Sequence, residues 1–163
     1  MQNTHISDRL PQLHGALLEI VGAMNRPQRD EMMIREAGIK LDRALFPLLV
    51  GIARFGPIGV VEMADRVGRD YTTVSRQVAR LEQLGLVQRS SSEADRRIRN
   101  AVVTPQGLAM TQRIDAARER IMGAVFAGWS QSEIDEFTRL AQRFADGLNG
   151  PHRPNAPAPE NAK

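Results

Sequence analysis

Apolar residues recur at spacings of three and four along most of the chain, and polar or proline-containing breaks cut the pattern into separate elements. Leu10, Leu13, Leu17 and Ile20, extended one turn by Met24, make the stripe of a long amphipathic helix that Asn25, Arg26 and Pro27 interrupt. Gln28 to Ala37 reads as a short helix stopped by Gly38. Leu41, Leu45, Phe46, Leu48, Leu49 and Ile52 predict a buried helix over Ile39 to Ala53, which Pro47 kinks or restarts, and Phe55, Gly56 and Pro57 then break the chain.

Two short helices follow. Val60, Met63, Ala64 and Val67 fall at i, i+3, i+4 and i+7, with Gly68 just past the end. A few residues later Asp70 is a plausible N-cap for a second helix whose core stripe is Val74, Val78 and Leu81 and whose stop is Gly85. Two such helices across a tight glycine-containing turn are a helix-turn-helix pattern. The runs Leu86 to Arg89 and Ile98 to Val103, separated by the polar stretch Ser90 to Arg97, predict a β-hairpin, or wing. Thr104 and Pro105 open a long helix to about Ala127, an N-cap followed by proline at the first helical position. Ser130 and Glu133 make a capping box for a last helix with Ile134, Phe137, Leu140, Phe144 and Leu148 on one face. The proline-rich stretch from Gly150 to the end is expected to be a disordered tail. The fold class expected is mainly α with a small β-hairpin wing.

Composition narrows the function. The 163 residues contain no cysteine, which removes disulfides, thiol redox switches and Cys-ligated metal sites, and 42% hydrophobic content suffices for a core. No apolar run reaches the length of a membrane span or a signal-peptide core, so a cytoplasmic location without membrane association is expected. His5, His14 and His152 have no ligand spacing, and neither a metal nor another cofactor is expected. The net charge is only +3, yet Arg66 to Arg99 holds eight arginines against Asp70, Glu82, Glu93 and Asp95, while the rest of the chain is nearly neutral. Charge so localised is the footprint of a polyanion partner.

With Val74, Val78 and Leu81 turned to the core, the opposite side of their helix carries Thr72, Arg76, Ala79 and Gln83, flanked by Thr73 and Arg80, with Tyr71 and Ser75 beside it near the N-terminal end. Arginine pairs bidentately with guanine, threonine methyls touch thymine, and hydroxyls bond phosphate. At the hairpin tip, Asp95, Arg96 and Arg97 suit a minor groove or a phosphate backbone, with Asp95 orienting an arginine. Taken singly, each is as readily a solvated surface. A basic face docking an acidic protein is the alternative reading, a winged-helix interaction module with no specific DNA site. An enzyme is not expected, because no nucleophile and base pair, carboxylate dyad or glycine-rich phosphate loop is present.

Three motifs in order, the run from Thr73 to Arg89 ending Leu-x-x-x-Gly-Leu-Val-x-Arg, then Asp95 to Arg97, then Val103 to Gly107 with its Thr-x-x-Gly, resemble the MarR family of bacterial transcriptional regulators. The close match covers about Gly56 to Gly107, and the helix layout fits over Ile6 to Leu148; Val103 in place of leucine and the extra arginine at Arg96 are departures. The resemblance implies a winged helix-turn-helix module over residues 39–104 that binds double-stranded DNA through Arg69, Tyr71, Thr72, Thr73, Ser75, Arg76, Arg80, Asp95, Arg96 and Arg97. It also implies a homodimer, joined through residues 6–38 and 105–149, that reads a pseudo-palindrome and most often represses. Members often release DNA on binding a small aromatic or phenolic ligand, for which His14, Arg43, Phe46, Arg54 and Met110 are the candidate lining here.

Overall fold

A computed structural model describes residues 4–91 and 99–150. The chain divides into two compact units, one through Arg120 and one from Ile121 onward. The proline-rich stretch expected to be a tail lies, from Pro151, outside the described residues, as do Asp95, Arg96 and Arg97.

In the first unit lies α1 (Thr4–Met24); from Ile6 onward none of its residues is in the buried core, and its stripe stays open: Leu10, Leu13, Ile20 and Met24 are all exposed. Helix α2 (Pro27–Glu36) starts on the proline that ends the previous element, because a first-turn residue needs no amide proton, and it stops where Gly38 takes a left-handed φ of 61°. Met33 and Ile34 of α2 pack against the core, and Arg120 Nη2 donates to the Glu36 carbonyl at 2.8 Å, satisfying one acceptor at the open C-terminal end.

The helix expected over Ile39 to Ala53 is shorter. Helix α3 spans Phe46–Phe55, and residues 39–45 form an irregular segment with a turn. Pro47 explains the difference, since its missing amide is tolerated in a helix's first turn and not in its interior. The Asp42 carboxylate accepts from the Ala44 N–H at 2.7 Å, an alternative backbone partner that favours the turn. The apolar positions are nonetheless buried: Leu45, Phe46, Leu48, Leu49 and Ile52 join Ile39 in the core.

Helices α4 (Val60–Val67) and α5 (Tyr71–Gln83) close on that core through Met63, Ala64, Val74, Val78 and Leu81. Gly68 (φ 64°) ends α4 left-handed, and Gly85 (φ 72°) does the same just past α5. Strands β1 (Val87–Ser91) and β2 (Arg99–Val103) pair antiparallel with Val87 opposite Val103, and Ile58 adds a short bridge to Ala101.

A joint of four residues then sets the start of α6 (Pro105–Val125). Thr104 Oγ1 donates to the Gly85 carbonyl at 2.6 Å and accepts from the Gly107 N–H at 3.0 Å, while the Thr104 N–H donates to the Leu86 carbonyl at 3.0 Å. Gly107 is buried there against the Leu86 backbone. The Thr-x-x-Gly motif is thus a stitch between the end of α5 and the beginning of α6.

In the second unit, α7 (Gln131–Asn149) begins with the predicted reciprocal cap: Ser130 Oγ accepts from the Glu133 N–H and the Glu133 carboxylate accepts from the Ser130 N–H at 2.7 Å. The Ser130 N–H, and the Ser130 hydroxyl donating at 2.9 Å, hold the Glu133 carboxyl below its ordinary range. Phe126, Trp129 and Phe137 cluster edge-to-face, with Trp129 centred 5.1 Å from Phe126 and 5.6 Å from Phe137. Phe137, Leu140, Phe144 and Leu148 are exposed.

Candidate nucleic-acid interface

Helix α5 is fixed along its length before any partner arrives. At its N-terminus Asp70 accepts from the Thr73 N–H at 2.9 Å and from the Thr73 hydroxyl at 2.6 Å. Those two bonds hold the Asp70 carboxyl below the usual carboxylate range. The lowered value means the cap contributes fully above the unfolded pKa of about 4 and is lost as pH falls through the folded value. Asp70→Ala is therefore expected to lower the melting temperature at pH 7, with the deficit shrinking as pH falls below about 4 and through the lowered folded value, as followed by circular dichroism. A deficit independent of pH would assign Asp70 another role.

The face predicted to read a groove is open. Tyr71, Thr72, Arg76, Arg80 and Gln83 are exposed, and Thr73, Ser75 and Ala79 are half-buried at its margins, while Val74, Val78 and Leu81 are buried beneath. Thr73 has its hydroxyl proton committed to Asp70, leaving its methyl and its acceptor lone pairs for a ligand. Within α5 the acid Glu82 accepts from Arg89 Nε at 3.1 Å, and the N-cap carboxylate of Asp70, bonded to Thr73, reaches Arg76 only through its longer-range charge.

The arginines of the basic stretch divide by what they touch. Arg66 donates to Glu62 at 2.9 Å and lies 4.1 Å over the Phe55 ring, and Arg89 is paired with Glu82. Arg69, expected among the DNA contacts, turns inward: its Nη1 donates to the Ala44 carbonyl at 2.7 Å and to Gln77 Oε1 at 3.0 Å. Nearby, burial raises the Asp30 carboxyl above its ordinary range, against the pull of Arg43 and Arg69. Arg76 and Arg80 face solvent, and among the described residues Arg80 donates to Gln83 at 3.1 Å.

The five candidate ligand residues are scattered in character. Phe46 is core at 7% exposure, Met110 is packed against that core, His14 and Arg54 are exposed, and Arg43 lies 3.8 Å from Glu31. A groove of about 560 Å³ is lined by none of them; Lys40, Leu41, Asp42, Ala44, Leu45, Arg76, Gln77, Arg80 and Leu84 form it. Lys40 escaped the sequence reading because nothing local marks it; its place beside α5 follows from the path of residues 39–45. Among the described residues no group of His, Asp or Glu is arranged to hold a metal ion, and no helix is long and apolar enough to cross a membrane.

Residues 41–98 match the model of the MarR family. The chain is 32% identical over 104 residues to the HTH-type transcriptional regulator YxaD of Bacillus subtilis, covering 64% of this chain and 73% of that protein. It is 23% identical over 108 residues to the HTH-type transcriptional repressor MdtR of the same organism, covering 66% and 70% respectively. Its fold is similar to that of a MarR family transcriptional regulator from Listeria monocytogenes solved in complex with 26mer DNA, with a TM-score of 0.63 at 21% identity over 80% of this chain and 87% of that one.

Proposed function

The chain belongs to the MarR family, whose members are transcriptional regulators and not enzymes, and we propose that it binds duplex DNA in sequence-specific fashion by laying α5 in the major groove. The observation that carries this is the exposed Tyr71, Thr72, Arg76, Arg80 and Gln83 face, free of carboxylates, on a helix capped at both ends and anchored by three buried apolar residues. A preorganised helix spends little ordering entropy on binding, and Arg76 is placed for bidentate contact with a guanine edge. Tyr71, Thr72 and Ser75 near the N-terminal end suit the first base edges and the adjacent phosphates.

The active form is a homodimer acting in the cytoplasm on a pseudo-palindrome with half-sites about 34–36 Å apart. The apolar residues that α1 and α7 each leave exposed support self-association, since stripes of this kind on a monomer mark an interface. Asp95, Arg96 and Arg97, on the segment between β1 and β2, supply the wing contact. The regulator represses, as its relative, the transcriptional repressor MdtR, is named for doing, and a small aromatic or phenolic effector relieves it.

Selection of bound sites from fragmented genomic DNA, followed by gel retardation at low salt, tests the reading; retention of a discrete set of fragments is expected. If no fragment is retarded, including the region upstream of its own gene, DNA binding is refuted. Sedimentation as a species of 18.1 kDa at micromolar concentration would refute the dimer.

A further inference from the structure

The two flanks of the reading face differ. At about 100° per residue, a face centred on Thr72, Arg76 and Gln83 has Ser75 and Glu82 roughly a quarter-turn to one side and Gln77 and Leu84 to the other. On the first side Glu82 is bonded to Arg89 of β1, so the hairpin lies there. On the second side Arg69 ties the turn before α3 to the helix, one guanidinium nitrogen donating to both the Ala44 carbonyl and Gln77. That turn brings Lys40 to the groove it shares with Arg76, Arg80 and Leu84.

The charges around the turn are already sorted. Asp42, the one acid in the groove lining, has its carboxylate on the Ala44 N–H, and Arg43 is near Glu31. Among the described residues neither Lys40 nor Arg76 has an acidic group within ion-pair distance. A helix in the major groove runs between two phosphodiester backbones, one along each flank, in a channel about 12 Å wide. The hairpin serves one flank, and an unpaired ammonium stands on the other.

We propose that Lys40 contacts phosphates of the strand on the flank opposite the hairpin, and that Arg69 is the positioning residue that holds the Lys40 turn at that height. The proposal rests on the DNA-binding reading. Lys40 adds affinity without sequence information, as a compact ammonium on phosphate does, whereas Arg69 acts through its hydrogen bonds and not through its charge.

Salt titrations of binding to a selected site and to an unrelated duplex of equal length, with the full chain, separate these roles. Lys40→Ala is expected to weaken both duplexes by the same factor and to reduce the slope of log K against log salt by about 0.9 per bound copy, so that the loss between 50 and 200 mM salt is smaller by about 3.5-fold per copy. Lys40→Arg restores the slope. Arg69→Lys keeps the charge yet reproduces the Lys40→Ala slope, and the double variant adds nothing further, the sign of two residues acting as one unit. Circular dichroism of each variant reports that the fold is intact. An unchanged slope in Lys40→Ala, with wild-type binding intact, overturns the phosphate contact. A wild-type slope in Arg69→Lys alongside a reduced one in Arg69→Ala would make Arg69 itself the phosphate contact and overturn its positioning role. Absence of wild-type binding to either duplex would instead remove the DNA reading on which both stand.

Discussion

Gly107→Ala is expected to destabilise the protein by about 3 kcal/mol, the upper end of the usual cost of overpacking. An added Cβ would sit 2.0 Å from the Leu86 carbonyl oxygen and 3.0 Å from its carbon. Both obstacles are backbone, so no side chain can swing aside. The Leu86 carbonyl is also held by the Thr104 N–H, and Leu86 is 2% exposed, so displacing that segment disrupts the core as well. Gly123→Ala in the same helix is the control: nothing lies within 4 Å of its Cβ, and alanine gains up to about 1 kcal/mol of helix propensity. Urea denaturation followed by circular dichroism measures both. Equal midpoints for the two variants would show that the joint yields, and that the approach of α6 to Leu86 is not a fixed feature of the fold.

Arg76→Ala has the largest expected effect on function. Loss of a bidentate base contact costs about 1–3 kcal/mol, or roughly 5- to 150-fold in affinity for the selected site, while binding to unrelated duplex falls much less. The discrimination against a base change at the contacted position should fall by the same factor. Arg76 is exposed and has no ion-pair partner among the described residues, so stability should stay within about 0.5 kcal/mol of wild type. Competition between the selected site and single-base variants measures the ratio. If the ratio survives while overall affinity and salt slope drop, Arg76 contacts phosphate and the base reading belongs to its neighbours.

Local codes carried much of the architecture. The Asp70 and Ser130 caps, the glycines after α4 and α5, and the apolar stripe Val74, Val78 and Leu81 each lie within a few residues of what they control, and the structure has all of them. Where the sequence misled, two local signals competed. The apolar spacing over Ile39 to Ala53 continues a helical period through residues whose backbone is not helical, because core burial constrains side chains and Pro47 with Asp42 constrains the main chain.

The candidate site was legible where it is a helix face and obscure where it is assembled from distant segments. From periodicity alone Arg69, Arg76 and Arg80 were equivalent cations of one basic stretch, and Lys40 belonged to another element. The sequence by itself determined the caps and glycine stops of α4, α5 and α7, the polar face of α5 and the joint motif from Thr104 to Gly107, because capping, propensity and 3.6-residue periodicity act over one or two turns. Only the tertiary structure decided which charges remain available: it spends Arg69 on the Ala44 carbonyl, 25 residues away in the chain, and brings Lys40 to the groove beside Arg80. The reason is physical. A guanidinium's partners are set by which carbonyls the packed core places within hydrogen-bond reach, and that distance is a property of the folded chain.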